Sequence, residues 1–102
     1  MNEISIHSFL KMNRSEIQVI DIREQYEYEN GNINALHIPM DQILHSTNKI
    51  NQTKQVIIYC QTGRRAAAVI YMLSKQFGLN NIFNLQGGYS AYLEVTSNKA
   101  TV

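Results

Sequence analysis

The sequence predicts an α/β fold built on a mostly parallel central sheet of about five strands. Short apolar segments alternate with segments of helical periodicity, and only a few residues connect them. The segment 55–60 (QVIIYC) is apolar at every position after Gln55, as expected of a strand buried on both faces of a parallel sheet. The length of 102 residues fits one domain over residues 1–102, and no repeat or Pro/Gly-rich linker divides the chain.

Five segments are predicted to be extended. Residues 18–22 form a short, β-branched apolar run that is typical of a buried strand. Ile38 precedes Pro39 and therefore avoids helical backbone angles, which favours extended chain at that point. The predicted extended segments are residues 4–6, 18–22, 34–39, 55–60 and 82–85.

Five further segments have helical patterns. The longest, residues 64–77, places Ala67, Ile70 and Leu73 at helical spacing and stops at Gly78, a favoured residue at a helix C-terminus. The predicted helices are residues 8–12, 24–29, 41–49, 64–77 and 89–95. A polar, frayed tail is expected from about residue 96.

Composition excludes several classes of protein. A single cysteine cannot form an internal disulfide or supply a zinc site that needs several thiolates. The net charge of +1 argues against nucleic acid as a partner. No apolar run approaches the ~18 residues of a membrane span, and the N-terminus lacks the apolar core of a secretory signal. We therefore expect a cytoplasmic protein that binds neither nucleic acid nor membrane.

The charges are distributed unevenly along the chain. Residues 1–41 carry seven of the eight acidic residues and three of the nine basic ones, a balance of −4. Residues 42–102 carry one acidic and six basic residues, a balance of +5. Folding into one domain would average this asymmetry out, whereas a local positive field in the second half would favour an anion-binding site there.

Cys60 lies at the predicted carboxyl end of the most buried strand, where ligand sites of parallel sheets are found. The helix that follows contributes unpaired amides and partial positive charge from its first turn. Thr62 and Gly63 allow a turn with inward-pointing amides, and Arg64 and Arg65 add full charges. Each of these features stabilises a thiolate relative to a thiol. The pattern predicts a nucleophilic cysteine in an anion-binding loop.

The candidate binding loop consists of Gln61, Thr62, Gly63, Arg64, Arg65 and Ala66. The alternative is a buried structural cysteine, since free cysteine packs as a small apolar residue. Adjacent arginines beside a glycine turn are poor choices for a purely structural site, and they favour the nucleophile.

Two blocks of the sequence resemble the rhodanese-like domain family. The segment YCQTGRRAAAVIYMLSKQFGLNNIFNLQGGYSAY is similar to the family's active-site segment at Cys60, Gly63, Arg65, Asn84, Leu85, Gly87 and Gly88. The block VIDIREQYEYENGNINALHIPM is similar to a second family motif at Asp21, Arg23, Glu24, Glu27, Tyr28, Gly31, Ile33, Ile38 and Pro39. The resemblance spans residues 4–93 and implies a rhodanese-like three-layer α/β/α sandwich.

The sequence departs from the family pattern at three points. Asn32 replaces the usual histidine, and the connection over residues 33–38 is one residue short, so we expect a local change in that loop. Ala66 stands where many members have serine or threonine, which removes one hydroxyl from the start of the helix and weakens anion binding modestly.

The resemblance implies a sulfurtransferase without metal or organic cofactor. Cys60 would attack the outer sulfur of thiosulfate, or of another small anionic sulfur donor, and become a persulfide that the amides of residues 61–66 hold. Arg64 or Arg65 would attract the donor. The acceptor would be cyanide or a thiol: a small thiol, a thioredoxin-like protein or a sulfur-carrier protein. Asp21 and Arg23 are expected to hold nearby loops, and Glu27 to be solvated or to pin a loop.

Other functions remain open at this point. A rhodanese-like module could bind partners without turnover, although such modules often lack the cysteine. Phosphatases and arsenate reductases of similar fold place five residues between cysteine and arginine, whereas four separate Cys60 from Arg65. His7, His37 and His45 lie outside the loop and show no spacing typical of a metal site or a catalytic base. The sequence does not determine the oligomeric state.

Overall fold

The central sheet contains five strands, all parallel, in the order β1-β5-β4-β2-β3. The computed structural model describes residues 2–100, with side chains for residues 2–97. The strands are β1 (Glu3–Ile4), β2 (Ile17–Asp21), β3 (Leu36–His37), β4 (Gln55–Tyr59) and β5 (Ile82–Leu85). The predicted strand number and parallel arrangement are confirmed.

The predicted central strand is β4, and it is the most buried one. Its residues from Val56 to Tyr59 have no exposed surface. It pairs with β2 from Ile17↔Gln55 to Asp21↔Tyr59 and with β5 on its other side. Because Cys60 directly follows β4, the cysteine lies at the carboxyl edge of the sheet between β2 and β5.

Helices cover both faces of the sheet. They are α1 (Ile6–Leu10), α2 (Gln25–Glu29), α3 (Met40–Ile43), α4 (Arg64–Phe77) and α5 (Gly88–Ala100). Side chains alternate across a strand. Ile58 and Cys60 therefore pack with residues of α3 and α4, whereas Ile57 and Tyr59 pack with residues of α1 and α5. The three-layer α/β/α arrangement is confirmed.

Several element boundaries differ from those predicted. Helix α1 begins at Ile6 rather than at residue 8, because Ser5 caps it by accepting a hydrogen bond from the Ser8 amide. The predicted helix over residues 41–49 is wrong: α3 ends at Ile43 and a separate 3-10 turn follows at Thr47–Lys49. The intervening amides of His45 and Ser46 bond three residues back, which tightens the chain out of the α-helix.

Helix α5 continues past its predicted end at Val95 and includes residues for which the sequence predicts a frayed tail. No glycine or proline follows Gly88 to stop it. The Thr96 hydroxyl donates a hydrogen bond to the backbone oxygen of Tyr92 at 2.8 Å, so this polar side chain has an acceptor within the helix. Residues 101–102 of the predicted tail lie outside the described residues. Within the part of the chain that the structure describes, no helix has the length and apolar character needed to cross a membrane.

Candidate active site

The Cys60 sulfur accepts hydrogen bonds from the backbone of its own loop. The amide of Gly63 lies 3.1 Å from Sγ and the amide of Ala66 lies 3.3 Å from it. Gly63 is the N-cap of α4 and has a φ of +103°, a conformation that glycine adopts far more readily than other residues. The turn at Gly63 thereby points the start of a helix, with its free amides and partial positive charge, at the thiol sulfur.

Two neighbouring elements hold this loop in place. From β5, the buried Asn84 side chain donates to the carbonyl of Gly63 at 3.0 Å. From the start of α5, the amides of Tyr89 and Ser90 donate to the carbonyls of Cys60 at 2.9 Å and Gln61 at 3.0 Å. The loop is therefore braced from outside, and its amides are oriented before any ligand arrives.

Gly88 permits the close approach of α5 to the loop. A Cβ atom at this position would lie 2.5 Å from the Cys60 carbonyl oxygen and 2.7 Å from Gln61, and its φ is +64°. We expect Gly88→Ala to destabilise the fold and to slow alkylation of Cys60, because the loop backbone must move. Denaturation in urea and the rate of reaction with iodoacetamide measure these effects.

Gly78→Ala is the matched control. Gly78 has a similar φ of +68°, but nothing lies within 4 Å of the Cβ it would gain. Both variants carry the left-handed strain of about 1–2 kcal/mol, and only Gly88→Ala adds the clash. Equal stability and equal alkylation in the two variants would contradict this explanation.

The two loop arginines have different environments. Arg65 forms an ion pair with Glu27 of α2, with Nη1–Oε1 at 2.9 Å and Nη2–Oε2 at 3.1 Å. The hydrogen bond from Arg65 lowers the pKa of Glu27, and the same bond raises the pKa of Arg65. Arg64 is exposed and has no acidic partner among the described residues.

The ion pair between Arg65 and Glu27 affects both the stability of the fold and the charge that the loop offers to a ligand. Because its pKa is lowered on folding, Glu27 stabilises the fold above its ordinary pKa, and that stabilisation is lost as the pH falls through the lowered value. The Arg65 charge is largely neutralised by Glu27, whereas the Arg64 charge is free to meet an incoming anion. Of the two arginine side chains, that of Arg64 is therefore the more accessible to an anion in solution.

A buried ion pair lies behind the loop. Asp21 and Arg23 are 0% and 2% exposed, and Arg23 Nη2 lies 2.8 Å from Asp21 Oδ2. Burial by itself would lower the pKa of Arg23, but the hydrogen bond and negative charge of Asp21 outweigh it and raise that pKa. Arg23 also donates to the Gly31 carbonyl at 2.6 Å and to Gln61 Oε1 at 3.0 Å.

The structure thus brings the second sequence block to the cysteine loop. Arg23 contacts Gln61, and Glu27 contacts Arg65. Ser90, which no sequence motif indicates, also reaches the loop: its hydroxyl accepts a hydrogen bond from Gln61 Nε2 at 2.9 Å. Asn32 donates to the Tyr28 carbonyl and accepts from the Asn34 amide, so it is part of the shortened loop.

Two further features, a histidine contact and a cavity, lie outside the Cys60 loop. His37 contacts the Arg23 carbonyl at 2.8 Å and stacks on Tyr28. No group of three His, Cys, Asp or Glu residues in the described part of the chain is arranged to hold a metal. A cavity of about 330 Å³, lined by residues that include Ile70, Leu79 and Ile82, lies at the amino edge of the sheet, opposite to Cys60.

A comparison with models of protein families identifies the family to which this chain belongs. The family model described as "Rhodanese-like domain" matches residues 7–94. The chain belongs to the rhodanese-like family. This rhodanese-like chain is 38% identical over 76 residues to the protein YqhL of Bacillus subtilis, covering 74% of this chain and 60% of YqhL. It is 31% identical over 80 residues to the thiosulfate sulfurtransferase GlpE of Coxiella burnetii, covering 78% of this chain and 74% of GlpE.

A solved structure has the same fold over nearly the whole chain. The rhodanese-related protein of Thermoplasma volcanium matches this rhodanese-like chain with a TM-score of 0.83 and 29% identity, covering 93% of each. The chain spans 60% of the length of YqhL, so the matched region is only part of that relative.

Proposed function

We propose that this protein is a sulfurtransferase that carries sulfane sulfur on Cys60 as a persulfide. The observation that carries the proposal is the pair of amide hydrogen bonds, from Gly63 and Ala66, to the Cys60 sulfur. Backbone donors aimed at a single sulfur can stabilise negative charge that develops there during transfer, and they cost no reorganisation during reaction. The sulfurtransferase named among the relatives supports the same class of reaction.

In the first step, the Cys60 thiolate attacks the outer sulfur of thiosulfate. A Cys60 S–S bond forms, the S–S bond of thiosulfate breaks, and its electron pair leaves with sulfite. Charge balances, because a thiolate and a dianion give a persulfide anion and sulfite dianion. The amides of Arg64 and Arg65, which lack intrahelical acceptors in the first turn of α4, are available to the new terminal sulfur.

In the second step, an acceptor nucleophile attacks the terminal sulfur. The persulfide S–S bond breaks and its electron pair returns to Cys60 as the thiolate, while cyanide becomes thiocyanate or a thiolate becomes a new persulfide. Cys60 is the single cysteine, so no internal thiol can take the sulfur. The acceptor is therefore external: a small thiol, a thioredoxin-like protein or a sulfur-carrier protein. Ping-pong kinetics follow, and the proposed location is the cytoplasm, where thiols remain reduced.

Mass spectrometry of the intact protein tests the proposal. Incubation with thiosulfate should add about 32 Da, the mass of one sulfur, on Cys60, and cyanide should remove it with release of thiocyanate. Because only 1% of Cys60 is exposed, the other sulfur donors to be tested should also be small molecules. Polysulfide and a low-molecular-weight persulfide meet this requirement. Failure of all three donors to modify Cys60 would overturn the proposal and favour a binding module without turnover.

The free charge of Arg64 should make the site selective for anions. Iodoacetate and iodoacetamide have nearly the same size and differ in charge. We expect Arg64→Ala to lower the rate of Cys60 alkylation by iodoacetate about threefold to fivefold, with little change for iodoacetamide, and to raise the KM for thiosulfate similarly.

Lys75→Ala is the control for Arg64→Ala. It removes the same charge from α4 near the opposite end of the helix. We expect its ratio of iodoacetate to iodoacetamide rates to equal that of the wild type. A ratio that falls equally in both variants would mean that net charge, rather than a cation at the loop, controls the preference.

A further inference from the structure

The Gln61 side chain joins two parts of the molecule that lie on either side of the cysteine loop. Its Oε1 accepts from Arg23 Nη1 at 3.0 Å, and its Nε2 donates to Ser90 Oγ at 2.9 Å. A guanidinium group only donates hydrogen bonds. The orientation of the Gln61 amide is therefore fixed, with its oxygen toward Arg23 and its nitrogen toward Ser90.

The Arg23 end of this link has little freedom to move. Arg23 is 2% exposed and donates from Nε and Nη2 to the buried Asp21 carboxylate. Its guanidinium carbon also lies 4.3 Å from the centre of the Tyr89 ring. Because Asp21, Tyr89 and the Gly31 carbonyl hold it, the guanidinium presents Nη1 to the loop from a fixed position.

The Ser90 end lies at the point where α5 meets the loop backbone. The amides of Tyr89 and Ser90 donate to the carbonyls of Cys60 and Gln61. The hydrogen bond from the Gln61 side chain to Ser90 is a third connection between the loop and α5. Unlike the two backbone bonds, it belongs to a side chain that also bonds to Arg23. These bonds orient the first two peptides of the turn that brings the amides of Gly63 and Ala66 to the sulfur.

We infer that Gln61 is a positioning residue for sulfur transfer: by joining Arg23 to Ser90, its side chain holds the loop amides in the orientation that meets the Cys60 sulfur. The inference rests on the proposed function. Loss of the link misorients the amides but leaves Arg64 in place. The effect therefore falls on kcat rather than on the KM for an anionic donor.

Two variants test the inference. Gln61→Met keeps the length of the side chain and loses both hydrogen bonds, and Ser90→Ala loses only the outer one. We expect kcat for thiosulfate:cyanide transfer to fall about tenfold in Gln61→Met and about threefold in Ser90→Ala, with KM within about twofold of the wild type. Iodoacetamide alkylation of Cys60 should slow in the same order. Gln76→Met and Ser74→Ala, at exposed positions of α4, are the controls.

Thermal unfolding followed by circular dichroism establishes that each variant is folded. If Gln61→Met is unfolded, the kinetics of Ser90→Ala test the inference instead. This variant should fold, because Ser90 is exposed and the loss of its hydroxyl leaves the backbone hydrogen bonds intact. Unchanged kcat and alkylation in folded Gln61→Met, or in Ser90→Ala, would overturn the inference, as would a rise in KM without a fall in kcat. If the wild type accepts no sulfur, the proposed function fails, and the alkylation rates alone decide whether Gln61 positions the loop.

Discussion

Cys60→Ser is expected to reduce sulfur transfer at least about a thousandfold, to the level of the uncatalysed reaction. A serine hydroxyl cannot form a persulfide, so the covalent intermediate is lost and no mass is gained from thiosulfate. The fold should survive, because serine is nearly isosteric and its oxygen can accept the amides of Gly63 and Ala66. Thiocyanate release, intact mass and urea denaturation together measure the outcome.

A relocated cysteine provides the matched control for Cys60→Ser. Ser74 is exposed on α4, away from the loop, so Cys60→Ser combined with Ser74→Cys keeps one thiol per chain. We expect this variant to stay inactive, because its thiol lacks the amides that stabilise a sulfur anion. Full activity in either variant would show that Cys60 is not the sulfur carrier, or that the loop around it is unnecessary.

The arrangement of backbone amides around Cys60 depends on local sequence features. Cys60, Gly63 and Ala66 lie within seven consecutive residues, and a buried strand followed by a glycine turn and a helix constrains how they meet. The parallel sheet is predicted for a related reason. A continuously apolar strand such as β4 has to be buried on both faces, and helices on both sides are the common way to bury it.

The long-range parts of the site could not be predicted in the same way. Glu27 and Arg65 are 38 residues apart, so nothing local distinguishes Arg65 from its exposed neighbour Arg64. Ser90 reaches Gln61 only because Gly88 lets α5 approach the loop backbone closely. The prediction of one helix over residues 41–49 is wrong for a local reason instead. Amides in this segment bond to carbonyl groups three residues back, which interrupts the α-helix despite the periodic side-chain pattern.

The two ion pairs that flank the loop should differ greatly in their contributions to stability. Arg23→Met is expected to lower the free energy of unfolding by about 3–5 kcal/mol, because it leaves the fully buried Asp21 carboxylate without its countercharge. The methionine chain replaces the apolar stem of Arg23, so most of the loss comes from the charge rather than from a cavity. Domains of this size have a total stability of about 5–15 kcal/mol. Urea denaturation at neutral pH is the measurement.

Arg65→Met makes the same chemical change in a pair that water can reach, since Arg65 is 34% exposed and Glu27 16% exposed. Its expected cost is about 0–1 kcal/mol, because solvent takes over the hydration of the freed carboxylate. Asp21→Asn combined with Arg23→Met should cost less than the sum of the two single changes, since the double variant leaves no unpaired buried charge. Equal losses in Arg23→Met and Arg65→Met would contradict the argument. Burial would then not determine the strength of these pairs, and Asp21 would have to find another partner when Arg23 is replaced.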